Sequence, residues 1–421
     1  MKSNPRILLS VGTRPEIIKM APIYLELKQR GVAPLWLHTG QHDEMAQELY
    51  RLWQITPDYN IVLRRNVETV RSCDLASLSA LLLEKTSSVL LEADPDVVMV
   101  HGDTSSALVM ALAAFYQKRR IAHVESGLRS GNEYHPFPEE KNRMLIAQLA
   151  HMHFAPTIRA KKNLLAEGIA KSTIHMVGNT IVQATKLGAA MLNDASVKPM
   201  NVHAVNIQSP EKRLIMHVVN TTYIGVANLS KVTKKSTIVD TLAHQIEGKS
   251  LLLVTAHRRE NHDEGIANIA RAVLELIKMN DDMIVVWPMH PNPKVQAKIK
   301  QIFSGLSIEL LTRLHLTESL AYPTLLWILK HAWMVLTDSG GIQEEAVALR
   351  VPVLVLRETT ERPEVIETGA GLLVGTDTNN IVHTVSELTK YSKRYQKMRA
   401  SKNPFGDDLV AKRICDIILK E

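Results

Sequence analysis

One repeated pattern limits this chain more than any other. A short apolar run ends in a glycine or a charged turn, and a helical stretch follows. Such runs occur at residues 7–11, 35–38, 97–100, 121–124, 251–255, 284–287, 334–337 and 351–356, and they are rich in Val, Ile and Leu. Continuous apolar runs of this length suit strands buried on both faces, and helices between them suit a parallel sheet. The expected class is therefore α/β with doubly wound sheets. At 421 residues the chain exceeds one ordinary core and is expected to form two domains. Hydrophobic residues (45%) outweigh charged ones (22%), which excludes a disordered chain.

Ligands of open parallel sheets sit outside the carboxyl ends of the strands, so the chemistry is sought in the turns that follow them. After 7–11, Gly12 gives the turn and Thr13-Arg14-Pro15-Glu16 has capping-box spacing. Arg14 and Lys19 near that helix N-terminus make an anion site. The runs at 97–100 and 121–124 each lead to a carboxylate, Asp103 in HGDT and Glu125 in HVESG. A third, Glu139 in PFPEE, opens the next helix after a proline-rich loop. Each acid alone also fits a helix cap. As a set, with His123 and Arg129 interleaved, they raise one another's pKa values and suit proton transfer at carbon.

In the second half, Ala256-His257-Arg258-Arg259-Glu260-Asn261 places basic residues directly after a strand, which again suggests phosphates. Pro288-Met289-His290-Pro291-Asn292-Pro293 is a stiff loop. In Asp338-Ser339-Gly340-Gly341 the glycines let a ligand approach the backbone, and a helix N-terminus faces the anion. Glu345 lies far enough into that helix to reach a ribose. Asp94-Pro95-Asp96 precedes its strand, at the end away from ligands, and reads as a loop instead of a metal-binding pair.

The net charge of +7 is spread along the chain without a basic block, so an anionic small molecule fits better than nucleic acid. Cys73 and Cys415 lie far apart, which fits a reducing compartment. No run approaches the ~20 apolar residues of a membrane span. A cytoplasmic protein without membrane contact is expected. There is no GxGxxG and no Walker loop, which disfavours dinucleotides and P-loop chemistry. Residues 193–249 are the least regular; within them, 213–219 and 223–226 flank Asn220-Thr221-Thr222 and predict a β-hairpin.

Taken in order, GTRPEIIKMAPI, TGQH, HGDTSS, HVESGLRS, PFPEEKNR, HFAPT, VGNT, VTAHRREN, LTDSGGIQEE and TTERPE resemble the motifs of the non-hydrolysing UDP-N-acetylglucosamine 2-epimerases. The resemblance covers nearly the whole chain apart from 193–249. It implies two Rossmann-like domains in the glycosyltransferase-B arrangement, with the active site in the cleft between them. The first would span 1–178 plus 403–421, its last helix crossing back, and the second 179–402.

The resemblance also implies interconversion of UDP-GlcNAc and UDP-ManNAc through 2-acetamidoglucal and UDP, with no cofactor and no metal. Asp103, Glu125, Glu139 and His257 would be catalytic. Arg14, Lys19, Ser339, Gly340, Gly341, Glu345 and Arg362 would bind UDP. Gln41, Glu44, Arg259 and His290 would form a pocket for a second UDP-GlcNAc acting as activator. A homodimer is expected. The competing readings are a 2-epimerase of a modified UDP-sugar, a hydrolysing epimerase that releases ManNAc, and a silent UDP-sugar binding protein.

Overall fold

The structure, a computed structural model, describes residues 4–40, 43–62, 75–134, 136–192, 217–218, 222–224, 238–258, 261, 264–388 and 392–420. The chain falls into two compact units, Met1–Leu187 with Phe405–Glu421, and Gly188–Pro404.

In the first unit seven strands are described: β1 (Ile7–Val11), β2 (Leu35–His38), β3 (Tyr59–Asn60), β4 (Val97–His101), β5 (Arg120–Val124), β6 (Met152–Ala155) and β7 (Ile174–Met176). They pair in the order β3-β2-β1-β4-β5-β6-β7, all parallel. Helices Arg14–Gln29, Leu75–Ala93, Ser105–Tyr116 and Glu139–Leu149 alternate with the strands. β1 and β4 are buried at every position, as the unbroken apolar runs require of a sheet covered on both faces.

Gly12 is needed for a different reason than a turn. A Cβ there would lie 2.2 Å from Thr39 Oγ1 and 2.8 Å from Ser106 Oγ, so the residue is fixed by close packing of two neighbouring turns.

The unit is completed by chain from the far end of the sequence. Helix Val410–Ile418 packs on helix Arg14–Gln29, and Arg30 pairs with Asp416 at 2.6 Å. Buried Cys415 lies in this seam, its thiol pushed up to about 12 by burial. Gly406 and Gly178 meet backbone to backbone; a Cβ on Gly406 would stand 3.2 Å from Gly178 Cα.

The second unit contains β8 (His217–Val218), β9 (Thr222–Ile224), β10 (Ser250–Thr255), β11 (Met283–Pro288), β12 (Leu314–Thr317), β13 (Met334–Thr337), β14 (Val353–Val355) and β15 (Gly371–Leu373), in the order β15-β14-β13-β10-β11-β12-β9-β8. Of the hairpin expected at 213–219 and 223–226, the described residues show antiparallel β8 and β9, with Thr222, expected in the turn, inside β9. The two extend the sheet by pairing β9 with β12, also antiparallel. The core holds Trp287, Leu252, Val285, Met334 and Leu354.

Counting the six described parallel strands of this unit from β10, their spatial order is 6-5-4-1-2-3. Read from the other edge, this is the 3-2-1-4-5-6 order that β1 to β6 follow in the first unit. In such sheets the connections change direction between the first and fourth strands, leaving a crevice at their carboxyl ends. The two crevices lie at β1/β4 and β10/β13. The turns that leave those four strands carry Thr13-Arg14, Asp103, His257 and Asp338-Ser339.

Candidate active site

In the first unit, Glu125 follows β5 in a left-handed conformation (φ 63°) that costs a non-glycine residue roughly 1–2 kcal/mol. Its side chain is buried and ringed by donors. Lys19 forms an ion pair with Oε1, Asn179 Nδ2 donates to the same oxygen at 2.6 Å, and His101 Nε2 lies 3.5 Å from Oε2. Burial holds the His101 imidazole down at about 4, despite the nearby carboxylate. No helix begins at Glu125, so helix capping does not explain it.

Nor does capping explain Asp103. The cap of helix Ser105–Tyr116 is Thr104, whose Oγ1 accepts from Ala107 N–H at 3.0 Å. Asp103 instead receives Arg143 Nε at 2.8 Å and Nη2 at 2.6 Å, and its carbonyl accepts from Asn142 Nδ2 at 2.8 Å. Both donors sit on helix Glu139–Leu149, so the helix that Glu139 opens is docked onto the Asp103 turn. Glu125 reaches the same turn, since a Cβ on Gly102 would lie 3.7 Å from its Oε2. His123 supports it from below, Nε2 bonding the Gly102 carbonyl at 2.7 Å. Asp103, Glu125 and the helix that Glu139 opens thus share one framework. Arg129 does not join them; it is bonded to Glu167 at 2.6 and 2.7 Å.

Several residues that build this framework do not stand out in the sequence. Glu16 has capping-box spacing, and its Oε2 does accept from Thr13 N–H at 2.7 Å. Its other oxygen accepts from Thr104 Oγ1 at 2.7 Å, so one buried carboxyl joins the turns after β1 and β4. Desolvation raises its pKa against four hydrogen bonds that lower it. Glu140, not its neighbour Glu139, orders the preceding loop by accepting from Ser130 and Gly131 N–H. Lys19, expected on UDP from the resemblance, is here the partner of Glu125.

In the second unit, helix Gly340–Ala348 begins behind Ser339, whose N–H donates to Thr337 Oγ1 at 3.0 Å. Arg362 is carried to this N-terminus: its guanidinium would lie 3.8 Å from a Cβ on Gly340, and Glu344 holds its Nε at 2.5 Å. A Cβ on Gly341 would meet no described atom within 4 Å. Glu345 is buried in the second turn of the helix, and Arg14 is half-buried at the first position of its own. His257 is half-exposed beside fully buried Asp338, a residue the sequence did not single out for a role. His290 Nδ1 accepts from Asn292 N–H at 3.2 Å in the turn after β11. Gln41 and Arg259 lie outside the described residues, as does the side chain of Glu44 in helix Asp43–Trp53.

With this geometry in hand, known proteins give a consistent match. The family model described as UDP-N-acetylglucosamine 2-epimerase matches residues 26–419. The chain belongs to that family. A UDP-N-acetylglucosamine 2-epimerase of Campylobacter jejuni is 36% identical, covering 99% of this chain and 97% of its own length. One from Escherichia coli K12 is also 36% identical, with 98% of each chain covered. The crystal structure of the Neisseria meningitidis UDP-GlcNAc 2-epimerase bound to UDP-GlcNAc superposes with a TM-score of 0.80 at 35% identity, covering 99% and 100% of the two chains. The fold class is accordingly that of these family members, α/β with two Rossmann-like domains of the glycosyltransferase-B type. Among the described residues no helix is long and apolar enough to cross a membrane.

Proposed function

We propose that this protein is a non-hydrolysing UDP-GlcNAc 2-epimerase that interconverts UDP-GlcNAc and UDP-ManNAc and supplies ManNAc-type sugars for surface polysaccharide. The observation that carries the reading is the joining of Asp103, Glu125 and the Glu139 helix around Gly102 at the carboxyl ends of β4 and β5. Proton transfer at a carbon needs carboxylates held rigidly and differently; Glu125 faces Lys19 and Asn179, whereas Asp103 faces Arg143.

In the proposed reaction a carboxylate takes the C2 proton while the bond from C1 to the UDP oxygen breaks, its electron pair leaving with UDP. The C1=C2 bond of 2-acetamidoglucal results. UDP oxygen then re-adds to C1, and a proton returns to the opposite face of C2. Hydrogen moves as a proton throughout, so no redox cofactor is required. UDP is held by the N-terminus of helix Gly340–Ala348, with Ser339, Gly340, Gly341, Glu345 and Arg362, together with Arg14. His257 assists at the diphosphate.

The test is to incubate the protein with UDP-GlcNAc in heavy water and follow the sugar by NMR. UDP-ManNAc with one deuterium at C2 is expected. Free ManNAc would establish the hydrolysing reaction instead. Absence of turnover, with a modified UDP-sugar epimerised in parallel, would move the substrate to that class. A sigmoidal rate curve in UDP-GlcNAc is expected from the activator pocket of Gln41, Glu44, Arg259 and His290, and a hyperbolic one argues against that pocket. A homodimer is also proposed, supported by Leu91, Phe115, Tyr116 and Leu145, which are 50–72% exposed on the first unit. Light scattering at the mass of one chain would exclude it.

A further inference from the structure

Asp338 is fully buried at the carboxyl end of β13, next to β10, from which His257 departs. Among the described residues, its carboxylate collects donors from the loop after β10. His257 N–H reaches Oδ1 at 3.1 Å and Oδ2 at 2.9 Å, Arg258 N–H reaches Oδ2 at 2.9 Å, and Asn261 Nδ2 reaches Oδ2 at 3.0 Å. The His257 ring adds a fourth group, with Nδ1 3.2 Å from Oδ1. A carboxylate is acceptor-only, and the two backbone N–H groups and Asn261 Nδ2 donate to it. The ring nitrogen that faces the same carboxylate at 3.2 Å is favoured to carry its hydrogen, which places that hydrogen on Nδ1.

The imidazole's opposite nitrogen, Nε2, is thereby directed away from Asp338 on a side chain that is 46% exposed. We propose that Asp338 is a positioning residue that fixes the tautomer and orientation of His257, so that Nε2 is the nitrogen presented to the nucleotide sugar. The same arrangement of buried carboxylate, Nδ1–H and outward Nε2 orients the histidine in hydrolase triads on unrelated folds. Here both residues stand at the β10/β13 crevice, where ligands of doubly wound sheets bind. The anchoring is also rigid, because Thr255 Oγ1 and Thr337 Oγ1, one residue before each turn, bond across the strands at 2.6 Å. Asp338 N–H itself donates to the Thr255 carbonyl at 3.1 Å.

The functional consequence rests on the reading of His257 given above, whereas the pairing does not, and the experiment separates the two. The full chain is labelled with ¹⁵N-histidine and its ring nitrogens are observed at pH 8, with His257→Gln identifying the signals. A protonated Nδ1 and a pyridine-type Nε2 are expected. The Nε2–H tautomer, or an average of both, overturns the proposal outright and needs no variant to fold. In kinetics, Asp338→Asn turns a donor toward the loop amides. It should lower kcat for UDP-GlcNAc by about 10²-fold, the low end for loss of a general acid or base. Affinity for UDP by calorimetry should stay within about threefold. The double variant with His257→Gln should be no slower than the slower single, because the two act as a unit. Losses that multiply, or a folded Asp338→Asn with full kcat, contradict the assignment. If His257→Gln alone keeps full activity, the role of His257 in the reaction fails, and the ring signals still decide the pairing.

Discussion

Replacing Lys19 with methionine tests whether this lysine serves Glu125, as its contacts indicate, or the nucleotide. Both side chains of the pair are 8% exposed, so neither charge is relieved by bulk water. Removing one partner of a buried ion pair usually costs about 3–5 kcal/mol, because the survivor stays buried and uncompensated. Asn179 would still donate to Glu125, and a hydrogen bond to a charged group contributes about 1.5–3 kcal/mol, so part of that penalty is offset. A net loss of about 2–4 kcal/mol is expected for Lys19→Met.

The double variant Lys19→Met/Glu125→Gln removes the stranded charge and should recover at least about half of the loss, about 1–2 kcal/mol, and the coupling exceeds this by the cost of Glu125→Gln alone. Urea unfolding of wild type, both singles and the double, read by the midpoint and slope, gives the cycle. Calorimetry with UDP on the same four proteins should find affinities within about threefold, since the lysine is occupied by the carboxylate. The reasoning fails if Lys19→Met costs less than about 1 kcal/mol and weakens UDP binding by about tenfold or more. That result would return Lys19 to the nucleotide.

Burial holds His101, His123 and His315 neutral, at about 4, 3 and 4. The unfolded chain therefore takes up protons first as pH falls below about 6.5, and stability should drop by up to about 2 kcal/mol per histidine between pH 7 and 5; an unchanged urea midpoint across that range would exclude this. Gly12→Ala should destabilise by about 1–3 kcal/mol, because Thr39 and Ser106 are buried and bonded to each other at 3.1 Å, and a neutral effect in thermal unfolding would show that the turns can part. A Cβ at Gly341 would meet no described atom within 4 Å, so for Gly341→Val Tm should hold within a few degrees while UDP affinity falls about tenfold or more, the loss of close backbone approach to an anion at a helix N-terminus; unchanged calorimetry would remove the glycine from the UDP site.

The strands were legible because a parallel strand covered on both faces must be apolar throughout, and few other structures tolerate such short runs. Asp103, Glu125 and Glu139 were legible as a group because each follows a strand or opens a helix at the ligand end of a sheet. Their supports were not. Lys19 and Glu125 are 106 positions apart, and Asp338 is 81 from His257, so nothing local marks either pair. Glu16 shows the limit from another side. Its spacing from Thr13 identifies one oxygen's partners, but the other oxygen goes to Thr104, which only the β1/β4 pairing brings near. Gly12 was recognised as special for a turn, while the cause was the neighbouring Thr39 and Ser106.

The seam where Gly178 meets Gly406 has a consequence for synthesis. Residues Met1–Leu187 leave the ribosome well ahead of Phe405–Glu421, with Gly188–Pro404 made in between. At roughly 5–20 residues per second, that interval lasts on the order of 10–40 s. Throughout it, the flank of helix Arg14–Gln29 that later receives Ile414, Cys415 and Ile418 stays uncovered. Asn179 meanwhile lacks the Phe405 carbonyl that its N–H will bond at 2.7 Å. The same Asn179 holds Glu125, so one neighbour of the carboxylate gains its own backbone anchor only after Phe405 has been made. The nascent first unit therefore waits, open on one side, until helix Val410–Ile418 arrives.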